Sequence, residues 1–198
     1  MDTQIRLIGL AGAAGSGKDM AAEIICREFG AENLSTGDLI RTITRHIYRL
    51  PPDFNPVRDQ LFEVATFIRN EIDPATTVKL CILQAKELKI ELALLSGLRT
   101  VGEAQALQAA GGVIIGIDAD PKVRYERIYS RKRDTESNKT YEQFLVQDAF
   151  ENDGVSDSGA GRGIRHVVAA ADVVITNNDS LEAFEMAVKT TLSDILKR

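Results

Sequence analysis

Only two histidines and two cysteines occur in the 198 residues, and there is no basic excess: 24 Lys and Arg stand against 29 Asp and Glu, a net charge of −5. Each shortage excludes something. Cys26 and Cys81 lie in separate helix-like apolar runs, neither with a neighbour at metal-ligand or redox spacing. Buried free thiols in a reducing cytoplasm are therefore expected, not a zinc or dithiol site. His46 falls within a helix-like run and His166 beside a glycine-rich stretch, so neither is a candidate catalytic base. An acidic chain lacks the electrostatic footprint of a general nucleic-acid binder, and nucleic acid is not an expected partner. No apolar run approaches membrane-spanning length, and the first residues lead straight into a strand without a basic and apolar leader. A cytoplasmic protein with no membrane partner is the expectation, and its oligomeric state is left open.

What the chain does have is alternation. Apolar runs of strand length recur at Ile5–Leu10, Ile90–Leu95, Val113–Ile117 and Val173–Thr176, with a weaker one at Asn33–Ser35. Between them lie helix-like segments at about Lys18–Phe29, Leu39–Tyr48, Val57–Asn70, Ala75–Leu88, Glu103–Ala109, Lys122–Lys132, Tyr141–Glu151 and Leu181–Leu196. Such alternation predicts an α/β fold, a five-stranded parallel sheet with helices on both faces, in a single domain over residues 1–198. Ligands of these folds bind at the carboxyl ends of the strands, where every motif below falls. Pro51, Pro52 and Pro56 interrupt one helical stretch. The span Asn152 to Gly163 is small, polar and glycine-rich, fitting either a lid hinge or a slack connection.

The first strand runs through Gly12-Ala13-Ala14-Gly15-Ser16-Gly17-Lys18-Asp19 into a helix. That is a phosphate-binding loop. Its glycines let successive backbone N–H groups converge on phosphate oxygens, the helix N-terminus adds partial positive charge, and the Lys reaches the β- and γ-phosphates. The next position usually carries a Ser or Thr hydroxyl for Mg²⁺; here it is Asp19. Two readings fit that carboxylate: a bridge to Mg²⁺, directly or through water, or simple electrostatic favour at a helix start.

Three further segments are chemically suggestive. Ser35-Thr36-Gly37-Asp38 offers a helix cap, with Arg41 about one turn inside the helix. Arg124, Arg127 and Arg131 recur at three- and four-residue spacing after Pro121, with Lys132 and Arg133 following. They form a cationic face, either solvated or directed at phosphates, where arginines stabilise charge during transfer. Ala171 to Asp179 closes the last strand with Asn177-Asn178, an ordinary turn or a ligand loop.

Taken together these motifs resemble the adenylate kinase family of P-loop kinases. Ser-Thr-Gly-Asp-Leu-Ile-Arg is similar to its acceptor-binding segment, which implies acceptor roles for Thr36, Gly37 and Arg41. Gly97 and Arg99 match the Gly-x-Arg after its third strand, where the Arg grips the acceptor phosphate. The acid that precedes that glycine in the family is Ser96 here. With Asp19 after the loop Lys, the usual hydroxyl and carboxylate of the metal site look exchanged, which implies Asp19 and Ser96 as the metal pair. An Asp after the loop Lys also occurs in phage-type deoxynucleoside monophosphate kinases and in the animal phosphomevalonate kinase family. Arg127, Arg131 and Arg133 match the arginines at the lid edge. Asn177 resembles the adenine-side residue of dephospho-CoA kinases. The widest resemblance, over most of the chain, is to a group of adenylate-kinase-related P-loop proteins of archaea and some bacteria.

The resemblance implies an adenylate-kinase-like fold with acceptor-binding helices at about 36–88 and a small lid at about 127–165. It implies a Mg²⁺- and ATP-dependent kinase in which residues 12–19 and Asn177 hold ATP. Arg41 and Arg99 then orient the acceptor, and Lys18, Arg99, Arg127, Arg131 and Arg133 stabilise the transferred charge. The expected partner is a small phosphorylated acceptor, a nucleoside or deoxynucleoside monophosphate. Two alternatives remain: dephospho-CoA or another metabolite as acceptor, and an ATP-binding module or slow ATPase switch.

Overall fold

Five parallel strands order as β2-β3-β1-β4-β5 in one sheet. They are β1 Arg6–Gly12, β2 Glu32–Asn33, β3 Leu92–Leu98, β4 Val113–Asp118 and β5 Val173–Thr176. The computed structural model describes residues 5–130, 140–152 and 163–197. Among these the helices are α1 Lys18–Phe29, α2 Thr36–Ile47, α3 Arg58–Phe67, α4 Thr76–Glu87, α5 Val101–Ala109, α6 Pro121–Ser130, α7 Tyr141–Asn152, α8 Ile164–Ala169 and α9 Leu181–Leu196. A π-helical segment, Ile68–Ile72, continues α3.

The long strands β1, β3 and β4 are mainly apolar because both faces of the sheet are covered there, and their two-residue period sorts the side chains between two cores; β2, at the sheet edge, is the exposed pair Glu32–Asn33. Leu7, Ala11, Ala93, Leu95 and Ile114 pack with Val78 and Cys81 of α4, Leu107 of α5 and Val167 of α8. Ile8, Leu10, Leu94, Ile115 and Ile175 pack against Ile24 and Ile25 of α1 and Val188 and Leu192 of α9. The chain leaves β1 toward β2 on one side and leaves β3 toward β4 on the other. With right-handed crossovers the two connections fall on opposite faces, and a crevice opens at the carboxyl ends of β1 and β3.

β2 falls at Glu32–Asn33 and not Asn33–Ser35, and β3 begins at Leu92 and not Ile90; four further departures have a local reason. β3 extends to Leu98 because the register slips between Leu10↔Ser96 and Ala11↔Leu98, leaving Gly97 as a bulge at φ 91°. Here a non-glycine residue is strained. Helix α2 begins at Thr36, where the Ser35 hydroxyl accepts from the Asp38 N–H. Helix α5 begins at Val101, because Thr100 and Glu103 form a reciprocal capping box. The six residues of α8 directly follow the glycine-rich stretch and are too few to show a clear helical period.

Burial, with the charge of Glu103 behind it, pushes the Cys81 thiol from 9.0 up to about 11. The proton is held more tightly in the folded chain, so this contribution to stability is complete below pH 9 and is lost as pH rises toward 11. It amounts to about 2–3 kcal/mol. Urea midpoints at pH 8 and pH 10.5 are expected to show that loss, with a shallower slope for Cys81→Ala; equal slopes would contradict it. Among the described residues no helix is long and apolar enough to cross a membrane.

Candidate active site

The loop between β1 and α1 lines a cavity of about 230 Å³ with Gly12, Ala13, Ala14, Gly15, Gly17, Lys18 and Asp19. Gly17 caps α1 at φ 102°, and no side chain caps that helix. Its first-turn N–H groups therefore keep donors for an anion. A Cβ at Gly17 would lie 2.3 Å from Asn177 Nδ2. Glycine is thus required there both for the left-handed backbone and for the approach of Asn177. Ser16 is fully buried, its Oγ without a hydrogen-bond partner among the described residues.

The loop is braced from the far side of the sheet. Asn177, 6% exposed at the end of β5, donates from Nδ2 to the Ser16 carbonyl at 2.8 Å. Its backbone N–H donates to the Asp118 carbonyl at 2.8 Å. Arg127 donates from Nη1 to the Asn177 carbonyl at 3.0 Å and from Nη2 to Asn177 Oδ1 at 3.2 Å. Asn177 and Arg127, read from the sequence as an adenine-side residue and a lid arginine, thus form one clamp on the phosphate loop. Asn177→Ala removes the amide donor to the buried Ser16 carbonyl and one of the two Arg127 contacts with residue 177, at about 1–3 kcal/mol. Roughly a ten-fold weakening of MgATP binding, read by calorimetry, is expected; unchanged affinity would contradict the clamp.

Arg124 corrects the reading of a continuous cationic face. It is buried, with Nη1 and Nη2 on the two Asp148 carboxylate oxygens at 2.5 and 2.6 Å, Nε on the Ala119 carbonyl, and Nη1 3.3 Å from the Ala14 carbonyl. Its guanidinium also lies over the Phe144 ring, 5.5 Å from the centroid. Three- and four-residue spacing puts residues on one helix face but does not say which side faces solvent; α7 covers the Arg124 side. Asn152 Nδ2 and Arg165 complete the surroundings of Asp148. Arg131 and Arg133 lie outside the described residues, as do parts of segment 127–165.

A second cavity, about 220 Å³, adjoins the first between α2, α3 and the end of β3. Arg41, Arg58, Arg69 and Arg99 line it, together with Thr36, Gly37 and an apolar wall that includes Leu61 and Phe62. Arg99 lines both cavities. The Thr36 hydroxyl is occupied, donating to the Gly97 carbonyl at 2.9 Å, so it braces the bulge that presents Arg99. Arg41 Nη1 meets Asp38 Oδ1 at 2.6 Å. Glu103, unremarked in the sequence beyond opening a helix, is buried and accepts from the Arg99 and Thr100 N–H groups at 2.7 and 3.1 Å and from the Thr77 hydroxyl at 2.7 Å. Its signal was the Thr100-x-x-Glu103 capping pattern. Arg58 and Arg69 were also missed. Their signal was a stripe at 58, 61, 62, 65 and 69, the spacing of one helix face.

Lys18 Nζ and the Asp19 carboxylate form an ion pair at the mouth of the first cavity, the side chains 22% and 76% exposed. Ser96 is buried and lies outside that cavity's lining, where Gly97, Leu98 and Arg99 stand. Among the described residues no three His, Cys, Asp or Glu side chains gather to hold a metal. Among the described residues that line the cavity, a Mg²⁺ ion would find one carboxylate, the exposed Asp19. That suits an ion that keeps several waters and binds through one or two carboxylates plus substrate phosphates.

An all-parallel sheet in the order 2-3-1-4-5, with a phosphate loop after its central strand, defines a P-loop kinase fold. Shikimate kinase from Bacteroides thetaiotaomicron shares it, with a TM-score of 0.56 at 12% identity over 98% of this chain and 99% of that one. TT1252 from Thermus thermophilus superposes with a TM-score of 0.58 at 21% identity, covering 96% and 98% of the two chains. No family model matches the sequence. The chain belongs to the UPF0200 family: it is 31% identical to the UPF0200 protein of Aeropyrum pernix over 187 residues, 92% of this chain and 90% of that protein.

Proposed function

We propose that this protein is a Mg²⁺- and ATP-dependent phosphotransferase acting on a small phosphorylated acceptor. One observation carries the reading: Arg99 lines both the phosphate-loop cavity and the arginine-lined cavity, so donor and acceptor phosphates meet at one guanidinium. The backbone N–H groups of residues 15–18 hold the β-phosphate, and Lys18 leaves Asp19 to bridge to the γ-phosphate. Asp19 would then hold a hydrated Mg²⁺, which would supply charge neutralisation on the triphosphate; Ser96 stays beneath the bulge as a structural residue.

Arg41 and Arg99 fix the acceptor phosphate in line. Its oxygen forms the new bond to the γ-phosphorus as the bond to the β–γ bridging oxygen breaks, and that electron pair leaves with ADP. An anionic phosphate needs no general base, so the protein's task is positioning and electrostatics, in keeping with the lack of a candidate histidine. Helices within 36–88 form the acceptor wall, and the two free thiols suit a cytoplasmic setting.

The test is ADP formation from MgATP with nucleoside and deoxynucleoside monophosphates, phosphorylated acids and dephospho-CoA as acceptors. Acceptor-stimulated ADP release that disappears in Lys18→Ala supports the proposal. ATP binding with a rate that no acceptor changes would replace it with an ATP-binding switch.

A further inference from the structure

We infer that Glu103 is a positioning residue: it sets how Arg99 leaves the end of β3, and so places the guanidinium that the two cavities share. Its role rests on the proposed phosphotransferase reading and deepens it. In a capping box the acid serves one bond, from the N-cap N–H, and Glu103 accepts that bond from Thr100 at 3.1 Å. It also accepts the Arg99 N–H on the same oxygen at 2.7 Å, the shorter of the two, and the Thr77 hydroxyl on its other oxygen at 2.7 Å. The residue is 3% exposed and lines the second cavity.

A helix cap alone does not call for this arrangement. A solvated carboxylate would cap α5 equally well, whereas a buried one carries a desolvation cost that only several good hydrogen bonds offset. The two bonds outside the capping box both act on the approach to Arg99. The Gly97 carbonyl is held from α2 by the Thr36 hydroxyl, and two residues on the Arg99 N–H is held from α5 by Glu103. Thr77, buried in α4, fixes the carboxylate from behind. The bulge between donor and acceptor is therefore pinned from α2, α4 and α5. A group placed for phosphoryl transfer needs such pinning, since misplacement by about 1 Å can cost roughly 10²-fold.

Glu103→Ala is expected to lower kcat for acceptor-dependent ADP release by about 10²-fold, while MgATP affinity weakens only about three-fold. In Glu103→Gln most of the lost turnover returns, because a carboxamide oxygen can take the two N–H groups while its NH₂ donates to the Thr77 hydroxyl. A double-mutant cycle shows whether Glu103 works through Arg99: beside Arg99→Ala, the Glu103→Ala change is expected to cost no further turnover. Thr100→Ala supplies the structural control. It removes the other half of the capping box, the hydroxyl that accepts the Glu103 N–H at 3.2 Å, and leaves the Arg99 N–H bond in place. Its thermal midpoint is expected to fall with kcat unchanged.

Acceptor-dependent kcat retained in Glu103→Ala, losses that add in the cycle, or a Thr100→Ala variant as slow as Glu103→Ala would overturn the inference. If Glu103→Ala does not fold, Thr77→Val carries the same cycle. It releases the second carboxylate oxygen and is expected to slow turnover about three-fold, with no added loss beside Arg99→Ala. MgATP calorimetry on the four proteins of the cycle needs no transfer and separates the two claims. Coupled losses of MgATP affinity in a protein whose ADP release no nucleoside monophosphate, phosphorylated acid or dephospho-CoA stimulates would sink the kinase reading alone. Stimulated release with additive losses would sink the role of Glu103 alone, and a wild type that does not bind MgATP would sink both.

Discussion

Asp148→Ala is expected to destabilise the fold by about 3–5 kcal/mol, because it strands a buried guanidinium without its counter-charge. Arg124 and Asp148 are 3% and 5% exposed, and their contact is bidentate. The loss also reaches Asn152, which donates to the same carboxylate. For a chain of this length it lowers the thermal midpoint by roughly 6–20 °C. The double variant Arg124→Met, Asp148→Leu removes both charges and keeps apolar volume, so it is expected to recover most of that stability. Its MgATP affinity stays below wild type, because the Ala14 carbonyl loses the guanidinium that approaches it from α6. Thermal melts of the three proteins decide this. A single variant as stable as wild type would show that the pair does not hold α6, α7 and the phosphate loop together.

Lys18→Ala is expected to lower acceptor-dependent turnover by about 10²–10³-fold, the usual effect of removing one preorganised charge from developing negative charge. The fold is expected to persist. Among the described residues Lys18 pairs with its neighbour Asp19 at the cavity mouth, and a solvent-facing pair of this kind adds little to stability. Urea midpoints within about 1 kcal/mol of wild type would separate this variant from a misfolded one. Turnover retained in Lys18→Ala would mean that the loop does not hold the reacting phosphates.

The sheet was legible because buried parallel strands have to be apolar and the helices between them have to be amphipathic; α1 and α9 start and end where their patterns do. The phosphate loop was legible because its backbone shape depends on glycines at fixed offsets. The bracing was not. Asn177 reaches Ser16 across 161 positions of sequence, and Arg124 reaches Asp148 across 24, distances over which no local period reports a contact. Arg124 and Arg127 therefore looked like one solvated or phosphate-facing stripe, whereas tertiary packing gives each a separate partner. Arg58 and Arg69 were hidden for another reason: a cavity between two helices is made by their packing, and the stripe on α3 takes on meaning only once α2 and β3 stand opposite it. Thr36 lines the second cavity, with its hydroxyl bound to the β3 bulge.

The central claim is transfer of the γ-phosphoryl group from ATP to a bound acceptor, and phosphorus NMR of the reaction mixture tests it most directly. With MgATP and an accepted substrate, the account predicts equal growth of ADP and of the acceptor's new diphosphate signal, no matching rise in free phosphate, and both products slowed by about 10²–10³-fold with Lys18→Ala. Free phosphate growing in step with ADP, or ATP persisting unchanged beside every acceptor, would contradict it.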